Sequence, residues 1–127
     1  MILADTDVII DYLAGVEPVA SRMKAYIEQE QIGTTVITCF ELLAGARESE
    51  RGQAARQLVA SLTALPLDLA CAARAASVRQ HLERAGQTIG MGDSLIAGIA
   101  LSNDATLWTR NRKHFGRVDG LRLLEIT

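Results

Sequence analysis

Three acids, Asp5, Glu41 and Asp93, each interrupt a stretch that otherwise reads as buried: MILAD, VITCFELLAGA and GMGDSLIAGIAL. An ionised carboxylate taken out of water costs on the order of several kcal/mol unless it is paired, hydrogen-bonded or bound to a cation. One hard divalent cation would satisfy all three, because such ions prefer oxygen donors. Bound metal also acidifies a coordinated water and aligns it on phosphorus, so the chemistry in prospect is hydrolysis of a phosphate ester.

Other side chains cluster around the trio in sequence. Asp7 and Asn111 could orient a water, and the hydroxyls of Thr6 and Thr109 lie beside the same segments. For Thr109 an ordinary strand-end position competes with a substrate contact. Each acid also has a simpler use. Asp5 and Asp7 could cap a short helix, Thr38-x-x-Glu41 matches a capping box, and Asp93 could complement a helix dipole. Asp11, one turn beyond Asp7, reads as solvated.

Arg110, Arg112, Lys113 and Arg117 crowd around Trp108 and Phe115, forming a local basic patch suited to phosphates. The two aromatics read as core residues. His114, lying among these charges, reads as neither general base nor ligand, and His81 as a surface or packing residue.

A chain of 127 residues with 49% hydrophobic and 22% charged residues has room for one folded domain, expected over 1–127. Its net charge of -2 offers no global case for nucleic-acid binding, so that case must be local. Cys39 and Cys71 lack zinc-site spacing and read as small core residues in a reducing cytosol. Neither a signal-peptide pattern nor an apolar run of about 18 residues occurs, so a soluble, cytoplasmic protein with no membrane partner is expected.

The elements that must position these residues alternate as short apolar runs and helical patterns, the signature of an α/β fold around a mostly parallel sheet. Strands are expected at 2–4, 32–35, 65–67, 106–109 and 121–126. Helices are expected from Asp5 or Thr6 to Gly15, from Pro18 to about Gln31, from Thr38 through Ala46, from Ser49 to about Ala64, from Leu69 to Ala85 and from Asp93 to Leu101. In parallel sheets, ligands bind beyond the carboxyl ends of the strands where strand order reverses, and Asp5, Glu41 and Asn111 all follow strands.

Four blocks in order, LADTDVIIDYL, TCFELLAGA, GDSLIAGIAL and ATLWTRNRKHF, span almost the whole chain and resemble the PIN-domain ribonucleases, above all the VapC-type toxins of bacterial toxin–antitoxin pairs. The resemblance implies a PIN-like three-layer α/β/α domain with four to five short strands. It implies Asp5, Glu41 and Asp93 as ligands for Mg2+, with Mn2+ a plausible substitute, and Asn111 where many relatives carry a fourth acid. An amide brings no charge, which weakens any second metal position.

The function so implied is a metal-dependent endoribonuclease that cuts structured RNA, such as transfer or ribosomal RNA, to stop translation. A VapB-type antitoxin, a homodimer and a toxin–antitoxin hetero-oligomer would be its assemblies, with the helices at 18–31 and 49–64 as candidate contact surfaces. Two other classes compete. DTD after a first strand is similar to aspartyl-phosphate phosphohydrolases, but neither Lys24 nor Lys113 lies in a convincing motif. A non-catalytic PIN-like module that binds RNA or protein would fit Asn111, but not three retained acids.

Overall fold

A computed structural model of the chain describes residues 1–125. Its order is β1 (Ile2–Ala4), α1 (Thr6–Leu13), α2 (Val19–Glu28), β2 (Ile32–Thr35), α3 (Val36–Gly45), α4 (Glu50–Ser61), β3 (Thr63–Leu65), α5 (Leu69–Arg84), α6 (Met91–Ser102), β4 (Thr106–Trp108), α7 (Arg112–Phe115) and β5 (Arg122–Leu123). The strands form one sheet, ordered β3-β2-β1-β4-β5, in which every pairing is parallel. The fold is therefore a three-layer α/β/α arrangement, with five strands where four to five were expected.

Alternation along the central strands builds two cores. Leu3 of β1 and Leu107 of β4 point into one, with Val78 and Leu82 of α5, Ile96, Ala97 and Ala100 of α6, and Phe115 of α7. Ala4 and Trp108, the next residues along, point into the other, with Val8 and Ile9 of α1, Met23 of α2 and Leu42 of α3. Trp108 and Phe115 are fully buried, as expected. Trp108 meets Tyr26 edge-on at 5.6 Å between ring centroids, and its indole N–H has no acceptor among the described residues.

The chain builds outward from β1 through β2 to β3, then returns to place β4 on the other side of β1. That reversal puts the carboxyl ends of β1 and β4 side by side, which is where Asp5 and Thr109 emerge. Ile2, Leu3 and Ala4 register with Thr106, Leu107 and Trp108, and the Asp5 N–H donates to the Trp108 carbonyl at 2.9 Å.

Several boundaries differ from the sequence reading. Helix α3 starts at Val36, not Thr38, because the Thr35 hydroxyl accepts the Thr38 N–H at 3.1 Å and caps it. Helix α6 starts at Met91, with Gly90 as N-cap, so Asp93 stands two residues inside its first turn. Helix α2 ends at Glu28, the third strand comes earlier, at Thr63–Leu65, and the short α7 after Asn111 was not anticipated. The last strand is only Arg122–Leu123; the expected extension to Ile126 lies outside the described residues.

Helix α6 is buried nearly all round, with Ser94, Ile96, Ala97, Gly98, Ile99 and Ala100 enclosed between the sheet and α5. Gly98 makes this possible. A Cβ there would stand 2.6 Å from the Cys71 carbonyl oxygen and 2.7 Å from Ala75 Cβ, so the two helix backbones touch. Gly98→Ala should therefore lower stability in urea unfolding by about 1–3 kcal/mol, although alanine is the better helix former. Gly45→Ala, where nothing lies within 4 Å of the added methyl, should be neutral or stabilising. Equal effects of the two substitutions would contradict this packing.

Candidate active site

Asp5 is the first residue past β1 and the N-cap of α1, and its extended backbone turns the carboxylate over the end of the sheet. One oxygen, Oδ1, accepts the Thr6 N–H at 2.8 Å, and Oδ2 accepts the Thr109 hydroxyl at 2.7 Å. Capping is thus real but occupies one oxygen only. Burial pushes the Asp5 carboxyl up to about 6, outweighing the two hydrogen bonds that favour its charge, and the neighbouring charges of Asp7 and Asp93 push the same way.

Thr109 is fully buried, which rules out the substrate contact entertained for it. It is a positioning residue: its oxygen donates to Asp5 and accepts the Asn111 N–H at 3.0 Å. Asp7 neither caps α1 nor faces open solvent alone. Its two carboxylate oxygens accept the Arg110 N–H, both at 3.2 Å, and so fasten the segment after β4 to α1.

Glu41 reaches the same cleft from α3. Its Oε1 accepts the Thr6 hydroxyl at 2.8 Å, and a Cβ at Gly92 would stand 3.7 Å from Oε2, which places Glu41 against the start of α6. The capping-box reading is therefore overturned, since Thr35 caps α3 and Thr38 is buried. Nor is Glu41 a buried acid; it is exposed at the rim, and of the three acids only Asp5 is buried.

Asn111 stands at the N-cap of α7 but makes no side-chain cap. Its Nδ2 donates instead to Asp93 Oδ2 at 3.3 Å and approaches His114 Nδ1 at 3.1 Å. His114 Nδ1 also lies 3.5 Å from Asp93 Oδ2. The sequence reading gave His114 no contact; α7, a helix absent from that reading, turns it back towards Asp93. A three-residue spacing from Asn111 was the signal available.

The basic residues are more engaged than the sequence suggested. Arg110 pairs with Asp11 at 3.2 Å, so Asp11, only 14% exposed, is not solvated. Arg112 pairs with Glu125 at 3.0 Å and donates to the Leu124 carbonyl, while Arg117 donates to the Thr88 carbonyl at 3.1 Å. Lys113 is exposed and has no ion-pair partner among the described residues. His81, exposed on α5, lies 3.4 Å from Asp119.

Among the described residues, no three His, Cys, Asp or Glu side chains converge tightly enough to enclose an ion by themselves. The donor set still suits a hard cation. A buried carboxylate with its charge opposed by burial and by two neighbouring acids is electrostatically incomplete, and an ion that keeps part of its water shell needs only one or two protein carboxylates.

Comparison with known proteins bears on the family of the chain. The PIN domain pattern matches residues 2–121. The chain is 34% identical to ribonuclease VapC10 of Mycobacterium tuberculosis over 122 residues, covering 96% of this chain and 91% of that one. It is 32% identical to the tRNA(fMet)-specific endonuclease VapC of Shigella flexneri over 124 residues, covering 94% and 93%. Among solved structures it superimposes on VapBC2 of Rickettsia felis, solved bound to a DNA fragment from its promoter, with a TM-score of 0.86 and 25% identity over all of both chains. By fold, by the order of its acids along the strands and by sequence over nearly its full length, the chain belongs to the PIN-domain family.

Proposed function

We propose that this chain is the toxin of a toxin–antitoxin pair, a divalent-metal-dependent endoribonuclease. The observation that carries this reading is the buried Asp5 carboxylate at the switch point of the sheet, with Asp93 close enough to oppose its ionisation. The names of relatives at about the same length, ribonuclease and tRNA-specific endonuclease, support RNA as the substrate.

In this account Asp5 and Asp93 hold Mg2+ or Mn2+, and Glu41 completes the acidic wall of the cleft. When bound, the ion supplies a water of lowered pKa and neutralises charge developing on the phosphate. Thr109 and the Thr6 N–H keep the Asp5 oxygens fixed. Thr6 holds Glu41, and Asn111 fixes the position of Asp93. Lys113 and the half-exposed Arg110 guanidinium are placed to take the flanking phosphates, since a surface ion pair such as Arg110–Asp11 is cheap to exchange.

The solved neighbours include toxin–antitoxin complexes, which supports a protein partner for this chain, and a toxin homodimer within a hetero-oligomer is part of the same proposal. A groove of about 310 Å³ runs between α1, α3 and α4, lined by Ile10, Leu13, Leu42 and Ala55 and bordered by Thr6 and Glu41. A partner segment seated there would cover the acids. Of the two helices singled out in the sequence as contact surfaces, α4 lines this groove and α2 does not.

Purified chain, freed of any partner, should cut cellular RNA at discrete positions in Mg2+ or Mn2+. Chelation should abolish the cuts, and Asp5→Asn or Asp93→Asn should slow them by roughly a hundredfold or more. Metal-independent cutting, or none by folded, metal-supplied protein, would contradict the proposal. Ile10→Glu, half-exposed in the groove, should leave cutting intact but weaken protection by the antitoxin.

A pH dependence follows from Asp5. Its folded pKa lies above the model-peptide value, so the folded state binds this proton more tightly than the unfolded state does. The stability contribution is fully present below pH 3.8 and is lost as pH rises through about 6, up to about 3 kcal/mol. Metal-free protein at pH 8 should therefore be stabilised by Asp5→Asn. Added Mn2+ should raise the wild-type melting temperature and leave that of Asp5→Asn almost unchanged. Destabilisation of the metal-free protein by Asp5→Asn at pH 8 would refute this electrostatic account.

A further inference from the structure

We infer that His114 is a metal-binding residue, giving the cleft a nitrogen donor beside Asp93 that tilts its preference from Mg2+ towards Mn2+. The inference deepens the metal-site reading above and rests on it. Two acceptors face one point. Asn111 Nδ2 donates to Asp93 Oδ2 at 3.3 Å and lies 3.1 Å from His114 Nδ1, and in the tautomer that carries its proton on Nε2 the His114 Nδ1 is a second acceptor for the same amide. A lone pair on nitrogen and one on oxygen are thus aimed at a single partial positive charge.

The separation of the two acceptors fits an ion as well as it fits the amide. His114 Nδ1 and Asp93 Oδ2 lie 3.5 Å apart. Neighbouring ligands around a six-coordinate ion with bonds of about 2.1 Å are about 3 Å apart, so a shift of a few tenths of an ångström brings both into reach. Asn111 would yield that point by rotating about its side-chain bonds, and the rotation would turn its carbonyl oxygen, a further hard donor, towards the ion.

Mg2+ discriminates strongly for oxygen, whereas Mn2+, the transition metal of the two, tolerates a nitrogen donor better, so exchange of His114 for an acid should lower the Mn2+ to Mg2+ affinity ratio. His114 is partly exposed on a short surface helix, and its replacement leaves the buried Phe115 in place. Circular dichroism should be unchanged in its variants.

The test is calorimetric titration of the full chain with MnCl2 and with MgCl2, for wild type, His114→Asp and His114→Ala, together with pulsed electron paramagnetic resonance on the Mn2+-loaded samples. A nitrogen coupling to Mn2+ in wild type that vanishes in His114→Ala is expected, with the Mn2+ to Mg2+ affinity ratio falling roughly tenfold in His114→Asp. Mn2+ bound without nitrogen coupling, or with a ratio unmoved by His114→Asp, overturns the role of His114 while leaving the carboxylate site standing. Failure of both ions to bind wild type overturns the metal site itself and this inference with it.

Discussion

The arrangement turns on one carboxylate placed where a folded protein least tolerates it. Asp5 lies at the end of the central strand, flanked by β2 and β4, and among the described residues two hydrogen bonds reach its carboxylate. One comes from the helix it caps and the other from Thr109, a buried hydroxyl with no exposure of its own. Burial outweighs both, so the ionised group remains short of positive charge. The pieces nearby add negative charge rather than relieve it, because Asp7 fastens the next loop and Asp93 heads α6. An under-compensated buried carboxylate with acids gathered around it is the feature on which the proposed cation site rests.

Strand order explains how residues so far apart in sequence reach this point. Reversal between β1 and β4 opens a crevice at their carboxyl ends, and the segments leaving both strands carry polar side chains into it. The Thr109 hydroxyl ties the two exits together, and the Asp7 carboxylate ties them again through the Arg110 N–H. Close approach of α5 and α6, which Gly98 permits, sets the height at which Asp93 meets the cleft. Local rigidity at the site is therefore supplied from both cores.

Much of this was legible in the residues. The alternation of apolar runs gave the parallel α/β class, and the acids that break those runs marked the cleft, because a carboxylate in an apolar stretch demands a reason. What the sequence could not separate was a cap from a ligand. Asp5 caps α1 with one oxygen and takes the Thr109 hydroxyl with the other, while Thr38 and Glu41 looked like a capping box only because the actual cap, Thr35, closed the preceding strand. Charge patterning showed less: Arg110, Arg112 and Arg117 have intramolecular partners that only tertiary structure brings near. The approach of His114 to Asp93 was not legible, because a four-residue helix carries too little periodicity to be seen, and that helix is what turns the ring towards Asp93.

The central claim is that the buried Asp5 and its neighbours exist to hold a divalent cation. Its most direct test is a crystal grown in Mn2+ and measured at the manganese absorption edge. The account predicts an anomalous peak in the cleft within bonding distance of Asp5 Oδ2 or Asp93 Oδ2. A well-ordered cleft with no anomalous density, or Mn2+ found only elsewhere on the surface, would contradict it.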